Sequence, residues 1–399
     1  MFIVSMLAVW GCSQGVKPEE KKSYAFTFKN EWINSELTNR LKGVYIGGAF
    51  NGWKYKTSPL AYSNGVWITN ILLAPGEYLY KYVCIFDGMW EDLWIHDFGN
   101  PDLRINEFGS FNSALVIDKD GNVPSVKVYD EKDSAHFKFF YKASDFKNNS
   151  IDDYIAVSEK NTEKLAAFLK IKLPQQKITV YLETNWNASW DLNAFQSIIL
   201  YGIPRNQHIF IHELVHVLVY NYKSLAMNEG LAQYCEEVLY PYDKSGTSFA
   251  VPVNLIVAGL FKAGVTNTVE YYMNNPKEFW WTENPLTGAT YCFMSSFTEY
   301  LVKKSGMDSL LKLFHSDFDF KTVYNKTVTE LDKDWKASMA GKKYNEDELL
   351  IIDWMSADIG FFYQFSQMNK KNKVLSKNEW VKMRNLNRSG IIIHAKQII

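Results

Sequence analysis

The stretch Ile209-Phe-Ile-His-Glu-Leu-Val-His-Val-Leu-Val219 determines which fold we expect for this sequence. It is apolar apart from His212, Glu213 and His216, and it has the length and pattern of a helix. Residues four apart share one face of a helix, so both imidazoles can bind the same metal ion. Glu213 follows His212 directly, and from there it can reach a water molecule at that ion without binding the ion.

A second amphipathic helix is predicted downstream, around Ala226-Met-Asn-Glu-Gly-Leu-Ala-Gln-Tyr234. Glu229 lies near its start, and Gly230 lacks a side chain, which lets two helices approach closely. Two histidines and one glutamate form a known catalytic zinc set with a fourth position open to water. The sequence therefore predicts a zinc site made of His212, His216 and Glu229.

Residues 135–340 resemble the peptidase-MA-like gluzincins, which are zinc peptidases. These carry HExxH on one helix and the third ligand in an N-E-G-x-A-x-Y segment on the next helix. The resemblance includes the strand before the site and the downstream segment Tyr291-Cys-Phe-Met-Ser-Ser-Phe-Thr-Glu-Tyr-Leu301. It implies that His212, His216 and Glu229 bind zinc and that Glu213 is the general base in hydrolysis of a peptide or protein substrate.

Two further assignments follow from this resemblance. Tyr291 starts the segment where the family places an oxyanion-stabilising tyrosine, with an ordinary core aromatic as the alternative. The aminopeptidase branch has an upstream Gly-x-Met-Glu-Asn segment, whereas this chain has Ile198-Ile-Leu-Tyr-Gly-Ile-Pro-Arg-Asn-Gln207 before its motif. We therefore expect an endopeptidase. His208, one turn before His212, is predicted to lie behind the ligands or at the surface.

Residues 24–120 are predicted to form a compact β-sandwich. Short apolar and aromatic runs alternate with turn signals such as Asn51-Gly52, Asn64-Gly65 and Pro75-Gly76. Aromatic residues make up 16% of the whole chain, which suits strands and sugar-binding surfaces alike.

Residues 43–118 resemble the glycogen-binding module of AMP-activated kinase β subunits and of starch-branching and debranching enzymes, an immunoglobulin-like early-set sandwich. The matching segments are Gly48-Ala-Phe-Asn-Gly-Trp53, Pro75-Gly-Glu-Tyr-Leu-Tyr-Lys-Tyr82, Asp87-Gly-Met-Trp90 and Phe108-Gly-Ser-Phe-Asn-Ser113. The resemblance implies an α-glucan or other glycan as ligand. The alternative is a module that only packs against its catalytic partner. The implied carbohydrate-binding residues are Trp53, Lys81, Trp90, Phe108 and Asn112.

The chain begins with a short apolar run that ends in Val9-Trp-Gly-Cys12. This run has the length of a signal-peptide core and its end resembles a bacterial lipobox, with Cys12 as the lipidated residue. Residues 1–12 are then the signal segment and residues 13–23 a tether, which predicts an exported protein attached by lipid to a bacterial membrane, in the periplasm or at the cell surface. A buried N-terminal strand is the alternative.

The charge balance argues against two classes of partner, and the cysteine spacing predicts the state of the thiols. The 43 basic and 44 acidic residues leave no basic field for nucleic acid or for an anionic membrane, so the lipid is the only membrane contact expected. The remaining cysteines lack metal-like spacing and are predicted to be buried thiols, with at most one disulfide: Cys84, Cys235 and Cys292.

The sequence as a whole predicts a multi-domain α+β protein. The β-sandwich precedes a mainly α-helical, zincin-like domain at 135–340, and residues 341–399 form a helical extension. Glycines at 230, 306 and 341 are predicted to interrupt helices. The alternative function is a surface lipoprotein that binds glycan and no longer cleaves peptides.

Overall fold

A computed structural model describes residues 20–35, 37–89, 91–124, 126–184, 190–202, 207–240, 251–279 and 286–357. The predicted signal segment with Cys12, most of the tether, the sugar-binding candidate Trp90 and the extension after residue 357 lie outside these ranges. The described residues form a front sandwich (residues 22–117) followed by a metal domain (residues 130–357).

The front sandwich consists of two antiparallel sheets. Sheet one has the order β1-β4-β3, and sheet two has the order β2-β5-β8-β7 with β6 beside β5. Alternate side chains such as Phe26, Phe28, Tyr82 and Cys84 are buried between the sheets, which confirms a β-sandwich. The strands are β1 (Lys22–Lys29), β2 (Leu41–Gly48), β3 (Ala61–Ser63), β4 (Val66–Leu73), β5 (Gly76–Phe86), β6 (Leu93–Ile95), β7 (Leu103–Ile105) and β8 (Phe111–Ile117).

The first strand begins two residues before the predicted boundary at residue 24. Lys22 and Ser23 pair with Leu73 and Leu72 of β4, so the hydrogen-bonded ladder extends beyond the apolar run that suggested the boundary. These two residues belong to the sandwich and not to the predicted tether.

The metal domain starts with a five-stranded mixed sheet of order β12-β13-β11-β10-β9. β10, β11 and β13 are mutually parallel, and the outer strands β9 and β12 run antiparallel to their neighbours. The central strands are almost wholly buried because both faces of the sheet are covered. The strands are β9 (Asp130–Asp133), β10 (Phe137–Tyr141), β11 (Ile178–Glu183), β12 (Trp190–Leu192) and β13 (Ser197–Tyr201).

Helices make up most of the rest of the metal domain. They are α1 (Ile151–Leu169), α2 (Gln207–Leu218), α3 (Leu225–Leu239), α4 (Val253–Lys262), α5 (Val269–Asn274), α6 (Thr287–His315), α7 (Phe320–Tyr324) and α8 (Val328–Ala340). Residues 346–357 of the predicted extension are also helical. No helix in the described part of the chain combines the length and the apolar character needed to cross a bilayer.

Two of the three predicted glycine interruptions are confirmed. Gly306 has a φ of 80° and kinks α6, and Gly341 follows the last residue of α8. The prediction for Gly230 was wrong, because this glycine lies inside α3. A Cβ there would lie 2.8 Å from the Met294 carbonyl oxygen, so the residue allows close helix packing instead of ending a helix.

The front sandwich packs directly against the sheet of the metal domain. Phe111 is buried with Tyr181, and His96 Nε2 lies 3.0 Å from the Tyr181 hydroxyl. Phe195, which precedes β13, is buried in the core of the sandwich. Cys84, Cys235 and Cys292 are buried thiols, as predicted.

Candidate functional site

Helices α2 and α3 bring the three predicted metal ligands together. His212 and His216 lie one turn apart on α2, with their ring centroids 5.0 Å apart. Glu229 faces them from α3, whose first turn is capped by Ser224 accepting a hydrogen bond from the Met227 amide. A six-residue loop, 219–224, joins the two helices.

The ligand atoms converge on one point. His212 Nε2 lies 3.1 Å from Glu229 Oε2, His216 Nε2 lies 3.4 Å from the same oxygen, and one ligand atom from each residue lies within 4.8 Å of the others. Burial alone would raise the pKa of Glu229, yet the two imidazoles lower it to about 2. Two imidazoles and one ionised carboxylate, converging in a buried site, fit a zinc ion.

A fourth residue supports this set from behind. His212 Nδ1 lies 3.3 Å from Oε2 of Glu236, a fully buried side chain on α3. An N–H at Nδ1 donating to that carboxylate leaves Nε2 with its lone pair toward the metal position. Although burial opposes protonation of His212, its carboxylate partners Glu229 and Glu236 raise its pKa well above 6.5. Glu236 was not predicted from the sequence, although it lies seven residues, or about two helical turns, after Glu229.

The predicted base and oxyanion residue lie at the same centre. Glu213 is buried on α2 beside the two ligands. The Tyr291 ring, on α6, is stacked on the His212 ring with a centroid distance of 6.0 Å and an interplanar angle of 24°. His208 is half-buried one turn before His212, and burial lowers its pKa.

Of the predicted sugar-binding residues, Lys81 and Asn112 lie on the outer face of sheet two. Tyr80 of β5 pairs with Ser113 of β8. Lys81 follows Tyr80 and Asn112 precedes Ser113, so both side chains lie on the face opposite to that of Tyr80. Gly47 of β2 pairs with Lys81 and lies on the same face. Trp53 lies beside Trp94, which was not among the predicted residues, with the two ring centroids 6.2 Å apart.

Lys81 and Asn112 are buried on this face. The Lys81 side chain is 7% exposed, its Nζ donates to Ser110 Oγ at 2.6 Å, and burial lowers its pKa to about 8. Asn112 accepts a hydrogen bond from Asn106, which also holds the turn carrying Phe108. Phe108 is 68% exposed, so the predicted residues range from buried polar groups to an exposed ring.

Trp94 shares this face because Gly47 has no side chain. A Cβ at Gly47 would lie 2.7 Å from the Trp94 ring. Trp53 and Trp94 are both about one third exposed, at 38% and 36%. Trp53 also has a positive φ of 63°, a backbone conformation that a bulky residue rarely adopts.

A comparison with protein-family profiles finds no match, and neither does a comparison with curated sequences. Solved structures with a similar arrangement include a variant of the M1 zinc metallopeptidase from Deinococcus radiodurans bound to a Tyr-Ser-Ala substrate. Its identity to this chain is 9% and the TM-score is 0.39, over 79% of this chain and 63% of that one. The unsubstituted enzyme has an identity of 10% and a TM-score of 0.33, over 82% and 65%. An aminopeptidase N family protein from Idiomarina loihiensis has an identity of 11% and a TM-score of 0.34, over 79% and 68%.

The chain thus spans less than two thirds of the length of the two Deinococcus structures. Similarity at 9–11% identity, with TM-scores below 0.5, does not by itself assign a function to this chain. The site itself has the features expected of a zinc metallopeptidase: the ligand set His212, His216 and Glu229, contributed by α2 and α3, and the carboxylate of Glu213 next to His212.

Proposed function

We propose that this protein is a zinc metallopeptidase that cleaves within peptide chains. The observation that supports this most directly is the buried convergence of His212, His216 and Glu229, with the buried Glu213 next to His212 on α2. A structural zinc site has four protein ligands, whereas among the described residues only these three form a metal-binding group. A three-residue set fits a catalytic centre.

Zinc, when bound, lowers the pKa of a coordinated water and polarises the carbonyl of the substrate. Glu213 accepts the proton from the attacking water and donates it to the amine that leaves. Tyr291, whose ring is stacked on that of His212, donates a hydrogen bond to the oxygen that becomes negative. Glu236 keeps the His212 ring oriented through Nδ1.

Cleavage within the chain is proposed from the sequence before α2. Residues 198–207 lack the Gly-x-Met-Glu-Asn segment with which the aminopeptidase branch holds a free amino terminus. The lipobox-like segment at Val9–Cys12 supports a location on the bacterial envelope, where the substrates would be exported or surface proteins.

We further propose that the front sandwich, as an immunoglobulin-like early-set module, binds a glycan through the outer face of sheet two. Among the described residues no carboxylate contacts Lys81, so a largely buried cation is paired only with a serine hydroxyl. Sugar hydroxyls are suitable further partners for Lys81 and Asn112, and the Trp53 and Trp94 rings offer apolar surface to sugar faces. Such a module would concentrate the peptidase at glycans or glycoproteins.

The peptidase proposal is tested with purified protein that starts after Cys12. We expect near-stoichiometric zinc by elemental mass spectrometry, and hydrolysis of internally quenched peptides with blocked termini. Glu229→Gln should lose most of the zinc. Glu213→Gln should keep the zinc but lose activity by roughly 10²–10⁴-fold, because only the proton transfer is removed. A folded wild-type protein that takes up no zinc, or that releases only single N-terminal residues, would contradict the proposal.

The glycan proposal is tested by retention on starch, glycogen and other immobilised glycans. The double substitution of Trp53 and Trp94 by Ala should abolish retention, since stacking of an aromatic ring is a main source of sugar affinity. Trp67→Ala is the matched control, because Trp67 lies on the other sheet. Equal retention of both variants, or none by wild type on any glycan, would favour a module that only packs against the metal domain.

A further inference from the structure

The loop between the two metal-binding helices is tied to the residue next to a ligand. The Asn221 amide donates to Asn228 Oδ1 at 3.1 Å, and Asn228 Nδ2 donates back to the Asn221 carbonyl oxygen at 2.8 Å. Both side chains are buried, and Asn228 directly precedes Glu229. A shift of the loop is therefore transmitted to Asn228 in the first turn of α3, and from there to the adjacent Glu229.

The same loop is anchored to the end of α6. Asn221 Nδ2 donates to the Phe314 carbonyl oxygen at 2.6 Å and also lies 3.2 Å from Asp317 Oδ1. Lys223 forms an ion pair with Asp317 at 2.7 Å. Tyr222 lies between these two anchored residues, and its ring points toward the front sandwich.

The front sandwich holds Tyr222 from the other side. The Arg40 guanidinium carbon lies 3.5 Å from the centroid of the Tyr222 ring, the geometry of a cation–π contact. Gly88 completes the enclosure, because a Cβ there would lie 3.0 Å from Arg40 Nη2 and 3.1 Å from the Tyr222 ring. The Asp87 amide donates to the Arg40 carbonyl oxygen at 2.8 Å, so the turn at 87–88 and Arg40 are held together.

We infer that the front sandwich positions the zinc ligand Glu229 through Arg40, Tyr222 and the Asn221–Asn228 pair. The module therefore stabilises the metal centre in addition to any role in recruiting substrate. Arg40 and Tyr222 are positioning residues, since they act on the metal only through α3. This inference rests on the proposed zinc site, and it is independent of whether the module binds a glycan.

The test is the rate of zinc release from the full chain to an excess of a chromophoric chelator. Arg40→Ala and Tyr222→Ala should each release zinc about tenfold faster than wild type, as is typical when support behind a metal ligand is removed. Tyr222→Phe keeps the ring under the guanidinium and should release zinc at the wild-type rate. The control is Gln176→Ala, which removes a different contact between the two domains, the 3.1 Å hydrogen bond to the Glu31 carbonyl oxygen.

Circular dichroism and the melting temperature of each metal-free variant show whether it is folded. If Tyr222→Ala does not fold, the zinc release rate of Arg40→Ala alone tests the inference. Release rates for Arg40→Ala within twofold of wild type would overturn the inference, as would equal acceleration by Gln176→Ala. A wild-type protein that binds no zinc is a separate result, since it refutes the proposed function before any variant is compared.

Discussion

Glu236 is the residue whose substitution most directly tests how the ligands are oriented. Its carboxylate accepts from His212 Nδ1 in a fully buried position. Glu236→Ala should weaken zinc affinity about 10–100-fold, because the imidazole loses the partner that sets its tautomer and direction. Glu236→Gln retains an acceptor oxygen and should lose much less. Competition with a chelator measures both, and unchanged affinity in the alanine variant would contradict this role.

The metal site and its support differ in how well they can be predicted from the sequence. His212, Glu213 and His216 depend only on helix periodicity, so their relation was predictable from spacing alone. Glu236 follows from the same periodicity, two turns after Glu229, once α3 is known to extend past it. Trp94 offered no such signal, because its place over Gly47 depends on the pairing of β6 with β5.

At the scale of elements, the close approach of α3 and α6 depends on Gly230. A methyl group there would meet the Met294 backbone at 2.8 Å, and a backbone carbonyl cannot rotate away as a side-chain end can. Gly230→Ala should lower the free energy of unfolding by about 1–3 kcal/mol or more, and it should also reduce zinc affinity because Glu229 is adjacent. Urea unfolding and chelator competition measure these effects.

Gly341→Ala is the control for this substitution. Gly341 has a φ of −81°, and a Cβ there would come no closer than 3.6 Å to another atom. Its free energy of unfolding should stay within about 0.5 kcal/mol of wild type or rise slightly, since alanine loses less chain entropy on folding. If Gly230→Ala and Gly341→Ala changed the free energy of unfolding equally, the close packing of α3 and α6 at Gly230 would not be the cause of the loss.

Two partly buried carboxylates, Glu237 on α3 and Glu299 on α6, should change the free energy of unfolding with pH in opposite directions. Burial raises the pKa of Glu237 from 4.5 to about 7, while its carboxylate accepts from the Val253 amide at 2.9 Å. Burial also disfavours ionisation of Glu299, but its bonds with Lys303 and Asn254 lower its pKa overall. Between pH 4.5 and about 7, the folded state therefore keeps a proton on Glu237 that the unfolded chain has lost. In contrast, the folded state binds the Glu299 proton more weakly than the unfolded chain does.

Stability should follow from these signs. Ionisation of Glu237 lowers the free energy of unfolding as pH rises from 4.5 through about 7, so Glu237→Gln should be more stable than wild type by about 2–3 kcal/mol near pH 8. That gain should vanish near pH 4. Glu299→Gln should be less stable near pH 8, with the loss fading as pH falls through the lowered pKa of Glu299. Urea unfolding of the metal-free protein at several pH values measures both changes in the free energy of unfolding. If the two substitutions changed stability in the same direction near pH 8, the opposite pKa shifts of Glu237 and Glu299 would be contradicted.

At the scale of the whole molecule, the two regions predicted as separate domains share part of their core. Phe195 belongs to the chain segment of the metal domain but is 5% exposed and packs in the sandwich core against Phe28 and Phe86. The Asn34 amide also donates to the Ala194 carbonyl oxygen at 2.7 Å. Strand and turn signals predicted a boundary near residue 120 along the chain, but they contain no information on which residues cross it in space.

Because this contact crosses the boundary, we expect the two regions to unfold together. Calorimetry of the wild type should show one transition, and Phe195→Ala should lower the free energy of unfolding by about 3–5 kcal/mol while the transition stays single. Hydrogen exchange should then show faster opening of both the sandwich strands and α6, since the substitution weakens a core that both regions need. Two transitions, with only the sandwich shifted by Phe195→Ala, would show that the regions fold independently and that the front sandwich is merely attached to the metal domain.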